Sequence, residues 1–226
     1  MIRVHVICEG QTEEEFIRHL LGPVLLEKQI SLLPSCIGKV GHKGGNVNLR
    51  RLAMDVRERL LRDQQCYCTT MLDYYGLPAE FPGKAEGAKL HDISDKQKKV
   101  VEALAQWAGD NLGPQTSFRF IPYIQMYEFE GLLFSDPSAL AGSINNIGAA
   151  EDFKKVRADF PTPEWINDNP HTAPSKRIAK LFPAYDKPEH PLMAAQDIGL
   201  DTIRRECPLF DSWVKRLEGL SAGGDA

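Results

Sequence analysis

Five acids in this 226-residue chain stand where chemistry is commonly done. Glu9 directly follows an apolar run, Glu13 lies in the turn beyond it, Asp73 ends a second apolar run, and Glu128 and Glu130 follow a third. Two carboxylates brought to about 4 Å repel by roughly 4 kcal/mol at an effective dielectric of about 20, so acids gathered in one place need a cation, a shared proton or a lysine. A hard divalent ion, Mg2+ or Mn2+, meets that need economically, because it takes oxygen ligands and keeps waters that a substrate phosphate can displace. Each acid also has a plainer role. Glu13, Glu14 and Glu15 suit a helix N-terminus through the macrodipole, Asp73 suits a turn, and Glu128 and Glu130, two apart, point to different faces of a helix.

The elements that must position these acids are legible as alternating periods. Residues 2–8 form a Val- and Ile-rich run that reads as a buried strand, ended by Gly10. Thr12 with Glu15 reads as a capping box that opens a helix near residue 13, and Phe16, Leu20, Leu21 and Val24 follow at helical spacing until Pro23 kinks or ends it. A weaker strand is expected over residues 32–40. Leu49, Leu52, Val56 and Leu60 mark an amphipathic helix. Tyr67 to Leu72 is a second clear strand, which stops at the turn-rich Asp73-Tyr74-Tyr75-Gly76-Leu77-Pro78. Phe81 to His91 reads as a loop, Asp95 to Trp107 as a helix, Phe118 to Gln125 as a strand, and Glu128 to Phe134 as a helix. Strand and helix in alternation predict an α/β fold: an open, mainly parallel sheet flanked by helices, with its functional crevice at the strands' C-terminal ends. Near residue 160 the composition changes. Seven prolines between Phe160 and Pro191 separate short helical pieces, and Leu200 to Leu217 reads as a helix. The expected organisation is an α/β core over residues 1–139 and a proline-punctuated helical subdomain over 140–226, packed on the core.

The hydrophobic (42%) and charged (26%) fractions are ordinary globular values. No apolar run approaches the roughly 18 residues of a membrane helix, and the N-terminus enters a strand without a basic start or a cleavage site, so a cytoplasmic protein with no membrane contact is expected. Cys8, Cys36, Cys66, Cys68 and Cys207 are scattered and odd in number, which predicts reduced thiols. No H-E-x-x-H pair supports zinc hydrolysis, and no nucleophile elbow supports serine chemistry. The net charge of −4 hides a basic segment, residues 38–62, where seven Lys and Arg face only Asp55 and Glu58. Its glycine-rich start carries Lys39 and Lys43, and Arg50 follows; these three are candidates for binding phosphate or nucleic acid. A second cationic group surrounds Pro174. Ser175-Lys176-Arg177 at a helix start suits an anion, and Lys176 and Lys187 are candidates to stabilise charge developing on phosphate, with Arg177 as a phosphate ligand.

Glu9-Gly10-Gln11-Thr12-Glu13-Glu14-Glu15-Phe16 after an apolar strand resembles the first motif of Toprim-type domains in nucleases of the overcoming-lysogenization-defect group. That motif, followed by Leu72-Asp73-Tyr74-Tyr75-Gly76, by the segment from Pro122 to Asp136 and by Pro174-Ser175-Lys176-Arg177-Ile178, resembles more closely the uncharacterised bacterial family DUF4276. The Toprim resemblance implies Glu9 as general acid/base or ligand, and Mg2+ held by Glu13 and by acids after the later strands. Those domains carry Asp-x-Asp where this chain has Asp73-x-Tyr75, which leaves Glu128 or Glu130 to supply an oxygen. It implies a Mg2+-dependent nuclease of bacterial defence or DNA processing, with nucleic acid as substrate and an ATPase as companion. Two other readings stand beside it: a non-catalytic binding subunit on a degenerate Toprim fold, and an enzyme of small-molecule phosphates in the same crevice.

Overall fold

The computed structural model describes residues 1–38, 47–166, 169 and 171–222. The chain divides into two compact units, residues 1–124 with 216–226, and residues 125–215.

In the first unit, strand β1 (Ile2–Cys8) leads into helix α1 (Gln11–Phe16), a π-helical turn over Ile17–Leu21 and helix α2 (Gly22–Glu27), then strand β2 (Ile30–Cys36). Helix α3 (Leu49–Arg62) returns the chain to strand β3 (Cys66–Asp73). After β3 come the short helix α4 (Lys84–Gly87), the long helix α5 (Ile93–Leu112), the turn α6 (Pro114–Ser117) and two-residue strands β4 (Phe120–Ile121) and β5 (Ile124–Gln125). The sheet runs β2-β1-β3-β4, and β1 pairs in parallel with both β2 and β3, as β3 does with β4. This is the open α/β sheet that the alternating periods predict.

Burial explains why these segments take these forms. Val4, Val6, Ile7 and Cys8 are inaccessible to solvent, as expected of a central parallel strand covered on both faces. Leu52, Val56 and Leu60, spaced by four, are the buried stripe of α3, which packs on β1 and β3. Arg119 ties the far end of this layer. Its guanidinium donates to the carbonyls of Leu60 (2.8 Å), Asp63 (2.9 Å) and Cys66 (3.0 Å), so one buried cation satisfies orphan carbonyls at the C-terminus of α3 and the entry of β3.

Four local expectations are corrected. The segment 118–125 is not one strand, because Pro122 has no N–H for the ladder. Instead Thr69 Oγ1 donates to Ile121 O (2.5 Å), and Thr70 Oγ1 donates to Tyr123 O (2.7 Å) while accepting from Tyr123 N (2.9 Å). The stretch 81–91 holds α4, which follows Gly83 at φ 74°. Helix α5 starts earlier than Asp95, because Asp92 caps it by accepting from Ser94 N (2.8 Å) and Asp95 N (3.1 Å). The first helix opens at Gln11, and the glutamate that reaches back is Glu13, which accepts from Gly10 N at 2.8 Å, rather than Glu15.

The second unit is helical. A 3-10 helix over Phe129–Ser135 is buried throughout and packs against α7 (Pro137–Ser143), α9 (Pro174–Leu181), α10 (Glu189–Ile198) and α11 (Leu200–Glu206), while α8 (Ala150–Ala158) lies on α7. The C-terminal helix expected as one piece is two, α11 and α12 (Pro208–Ala222), separated at Cys207 where Pro208 begins the next helix. Glu164 caps α12. Buried to 1% exposure, it accepts from Leu209 N (3.0 Å) and Phe210 N (2.8 Å). All five cysteines are buried thiols, and among the described residues no helix is long and apolar enough to cross a membrane.

Candidate active site at the switch point of the sheet

The strand order fixes where this sheet can hold a ligand. From β1 the chain moves to β2 on one side and then to β3 on the other, so connections leave the C-terminal ends of β1 and β3 in opposite senses. In open α/β sheets that divergence creates the ligand crevice. Glu9 and Asp73 are the residues at those two strand ends.

They are joined directly. Glu9 N donates to Met71 O (3.1 Å), extending the pairing of β1 with β3 by one step, and Glu9 Oε2 accepts from Asp73 N at 3.0 Å. Beyond Asp73 the chain turns tightly, with Gly76 N donating to Asp73 O at 3.0 Å. A side chain on Gly76 would run into both oxygens of the Glu9 carboxylate, so the glycine is what lets the turn close over that acid. Glu13, 5% exposed, approaches the same backbone from the helix side through its bond to Gly10 N. The structure therefore brings Glu9, Glu13 and Asp73 to the turns that end β1 and β3. Glu14, by contrast, takes the Cys36 thiol (2.9 Å) and Arg18 (2.6 Å), and Glu15 takes His19 (3.0 Å).

Two lysines that the sequence reading passed over complete this edge. Lys84 Nζ donates to Leu77 O and lies 5.2 Å from the centroid of the Tyr74 ring; Lys96 Nζ lies 5.9 Å from the same centroid. Burial draws the Lys84 ammonium below the ordinary lysine pKa, and the Glu9 carboxylate pulls it back. Lys96 had a signal in the sequence, since it falls on the buried stripe of α5 with Ile93, Val100, Leu104 and Ala108. Lys84 had only the glycine before it.

Among the described residues, no three His, Cys, Asp or Glu side chains are disposed to hold a metal ion between them. What the edge offers is a pair of carboxylates on adjacent strand ends. That donor set suits Mg2+, which is commonly held by one or two carboxylates while waters and substrate phosphate oxygens fill the octahedron. Glu9 and Asp73 would hold it, with Glu13 fixing the turn.

The remaining candidates stand on other elements. In the second unit, Glu128 Oε2 accepts from Ser175 N (3.0 Å), so that acid serves the first turn of α9. Glu130 is wholly buried; its Oε1 meets Lys187 Nζ (2.5 Å) and Tyr185 Oη (3.3 Å). Burial raises the Glu130 pKa, Lys187 opposes the rise, and Glu128 adds to it. Lys176 is exposed in α9, whereas Arg177 donates through Nε to Thr172 O (2.6 Å) and covers the Phe160 ring at 5.6 Å. Arg50 is exposed in the first turn of α3, and Lys39 and Lys43 lie outside the described residues. Arg50 and Arg51 line a depression of about 1650 Å3 between β2 and α3, which also reaches Pro78 and Phe81 beyond the Asp73 turn. Of its other cations, Arg59 is paired with Asp55 (3.3 Å) and Arg62 with Glu58.

Comparison with curated proteins and with solved structures gave no match. The model of one protein family, described as a domain of unknown function, matches residues 8–218, a span that runs from the last residue of β1 into α12. The chain belongs to the DUF4276 family.

Proposed function

We propose that this protein is a Mg2+-dependent phosphodiester hydrolase of the cytoplasm that cleaves nucleic acid at the C-terminal edge of its sheet. One observation carries the reading: Glu9 and Asp73 meet at the switch point, where Glu9 is held by the Asp73 amide and enclosed by Gly76. Glu9 is thus oriented before substrate arrives, and Glu13 keeps the Gly10 turn from relaxing. An ion held by Glu9 and Asp73 would supply polarisation of a phosphoryl oxygen and a lowered pKa for its bound water. Arg50 and Arg51, which line a depression shared with Pro78, Glu80 and Phe81 beyond the Asp73 turn, support nucleic acid over a small phosphate compound, since a polyanion can extend from that turn to both arginines. An ATPase companion is the partner that the Toprim resemblance implies.

The test is cleavage of single- and double-stranded DNA and RNA by the purified chain with Mg2+ or Mn2+. Glu9→Gln and Asp73→Asn should each lower the rate by about 100-fold or more. Cleavage that survives both substitutions refutes the site. The binding-subunit reading draws on the capping duty of Glu13 and on Tyr75 in place of a second aspartate; retention of nucleic acid without metal and without turnover would favour it.

A further inference from the structure

We infer that Lys84 is the cation that meets the substrate's phosphate at this edge, an assignment that rests on the phosphate reading above. Of the lysines that the sequence offers for phosphate, Lys39 and Lys43 lie outside the described residues, Lys176 and Lys187 belong to the second unit, and Lys187 is engaged by the buried Glu130. Lys84 is in the unit that holds Glu9 and Asp73, eleven residues along the chain from Asp73.

Its placement is built rather than incidental. Gly83 has φ 74°, and a Cβ there would strike the Lys99 carbonyl and Ala103, so the entry to α4 is pressed against α5 and Lys84 starts from a fixed point. From there the side chain crosses the Tyr74 ring and reaches the Leu77 carbonyl. The groups that face it are Glu9 from the end of β1 and Tyr74 and Leu77 from the β3 exit turn, while Lys96 of α5 approaches the same Tyr74 ring. An ammonium has three N–H donors, and Leu77 O takes one. Lys96 is only 5% exposed, whereas Lys84 is half-buried, which leaves Lys84 the lysine able to meet a ligand from solvent. A partly desolvated ammonium held over an aromatic ring and within reach of the Glu9 carboxylate is suited to stabilise charge on a phosphoryl group, because it attracts the anion without reorganising. Lys84 is then a catalytic residue in the strict sense of touching substrate.

The experiment is calorimetric titration of the full chain with inorganic pyrophosphate and Mg2+. Lys84→Gln keeps an N–H for the Leu77 carbonyl but removes the charge, and should bind about tenfold more weakly or worse. Lys84→Arg should stay within about threefold of the unaltered chain, because the charge is restored. Pyrophosphate should also slow acetylation of Lys84 by acetic anhydride in the unaltered chain, a readout that needs no variant to fold. Unweakened binding by Lys84→Gln, or unprotected Lys84, overturns the assignment and leaves the phosphate reading standing. Failure of the unaltered chain to bind pyrophosphate overturns both.

Discussion

Replacing Gly76 by alanine tests the geometry of the site without any assay of activity. The Gly76 backbone lies outside the left-handed region, so alanine meets no dihedral penalty and by itself would stabilise the chain by about 0.4–1 kcal/mol through the unfolded state. The added methyl, however, collides with the Glu9 carboxylate. Either the turn shifts, at about 1–3 kcal/mol for overpacking, or Glu9 swings away and loses its charge-assisted bond from the Asp73 amide, worth about 1.5–3 kcal/mol. The net expectation is destabilisation by about 1–2 kcal/mol in the natural chain. In a Glu9→Ala background the obstacle is gone, and Gly76→Ala should be neutral or mildly stabilising. Urea unfolding of the four proteins then gives a coupling of about 2 kcal/mol between residues 9 and 76, well above the roughly 0.5 kcal/mol scatter of independent sites. A coupling within that scatter would mean that the Glu9 carboxylate is not under the Asp73–Gly76 turn, and the proposed site would fall with it.

Two stability predictions concern groups that have no part in the proposed chemistry. Burial pushes the Glu164 carboxyl from 4.5 up to about 7, so the folded chain holds a proton that the unfolded chain releases. The stability this contributes is fully present below about pH 4.5 and is lost as pH rises through about 7, roughly 3 kcal/mol in the limit. Chemical unfolding between pH 5 and pH 8 should therefore show the natural chain losing stability relative to Glu164→Gln; parallel curves would refute the shift. Arg119→Met should destabilise by about 3 kcal/mol or more, since three buried carbonyls lose their donor together, and thermal unfolding that leaves Tm unchanged would show that water replaces the guanidinium.

The sheet was readable because its strands carry their own period. Residues 2–8 and 67–72 are apolar runs closed by turn residues, and each became a strand within one residue of the expected bounds. The same period misled at 118–125. There the apolar character is real, but Pro122 interrupts the ladder and side-chain hydroxyls from β3, Thr69 and Thr70, hold what the backbone of the short strands does not. No local pattern announces a threonine that substitutes for a ladder hydrogen bond. The early start of α5 was missed for a related reason: Asp92 caps from outside the apolar stripe, and the stripe was the signal being followed.

For the site, Glu9 and Asp73 were legible because a residue that follows a buried parallel strand is delivered to the C-terminal edge whatever its neighbours do. Their contact was not, since it depends on β3 lying next to β1, which topology decides and periodicity does not. Repulsion between acids can be relieved by a metal or by lysine, and this chain uses its own lysines at both groups of acids: Glu9 has Lys84 within electrostatic reach, and Glu130 is met by Lys187. A carboxylate already partly neutralised binds a divalent ion less tightly than a bare cluster would. If the proposed function holds, the substrate's phosphate oxygens would complete an ion held by Glu9 and Asp73, so metal affinity and phosphate affinity should rise together: pyrophosphate should tighten Mn2+ binding by the factor by which Mn2+ tightens pyrophosphate.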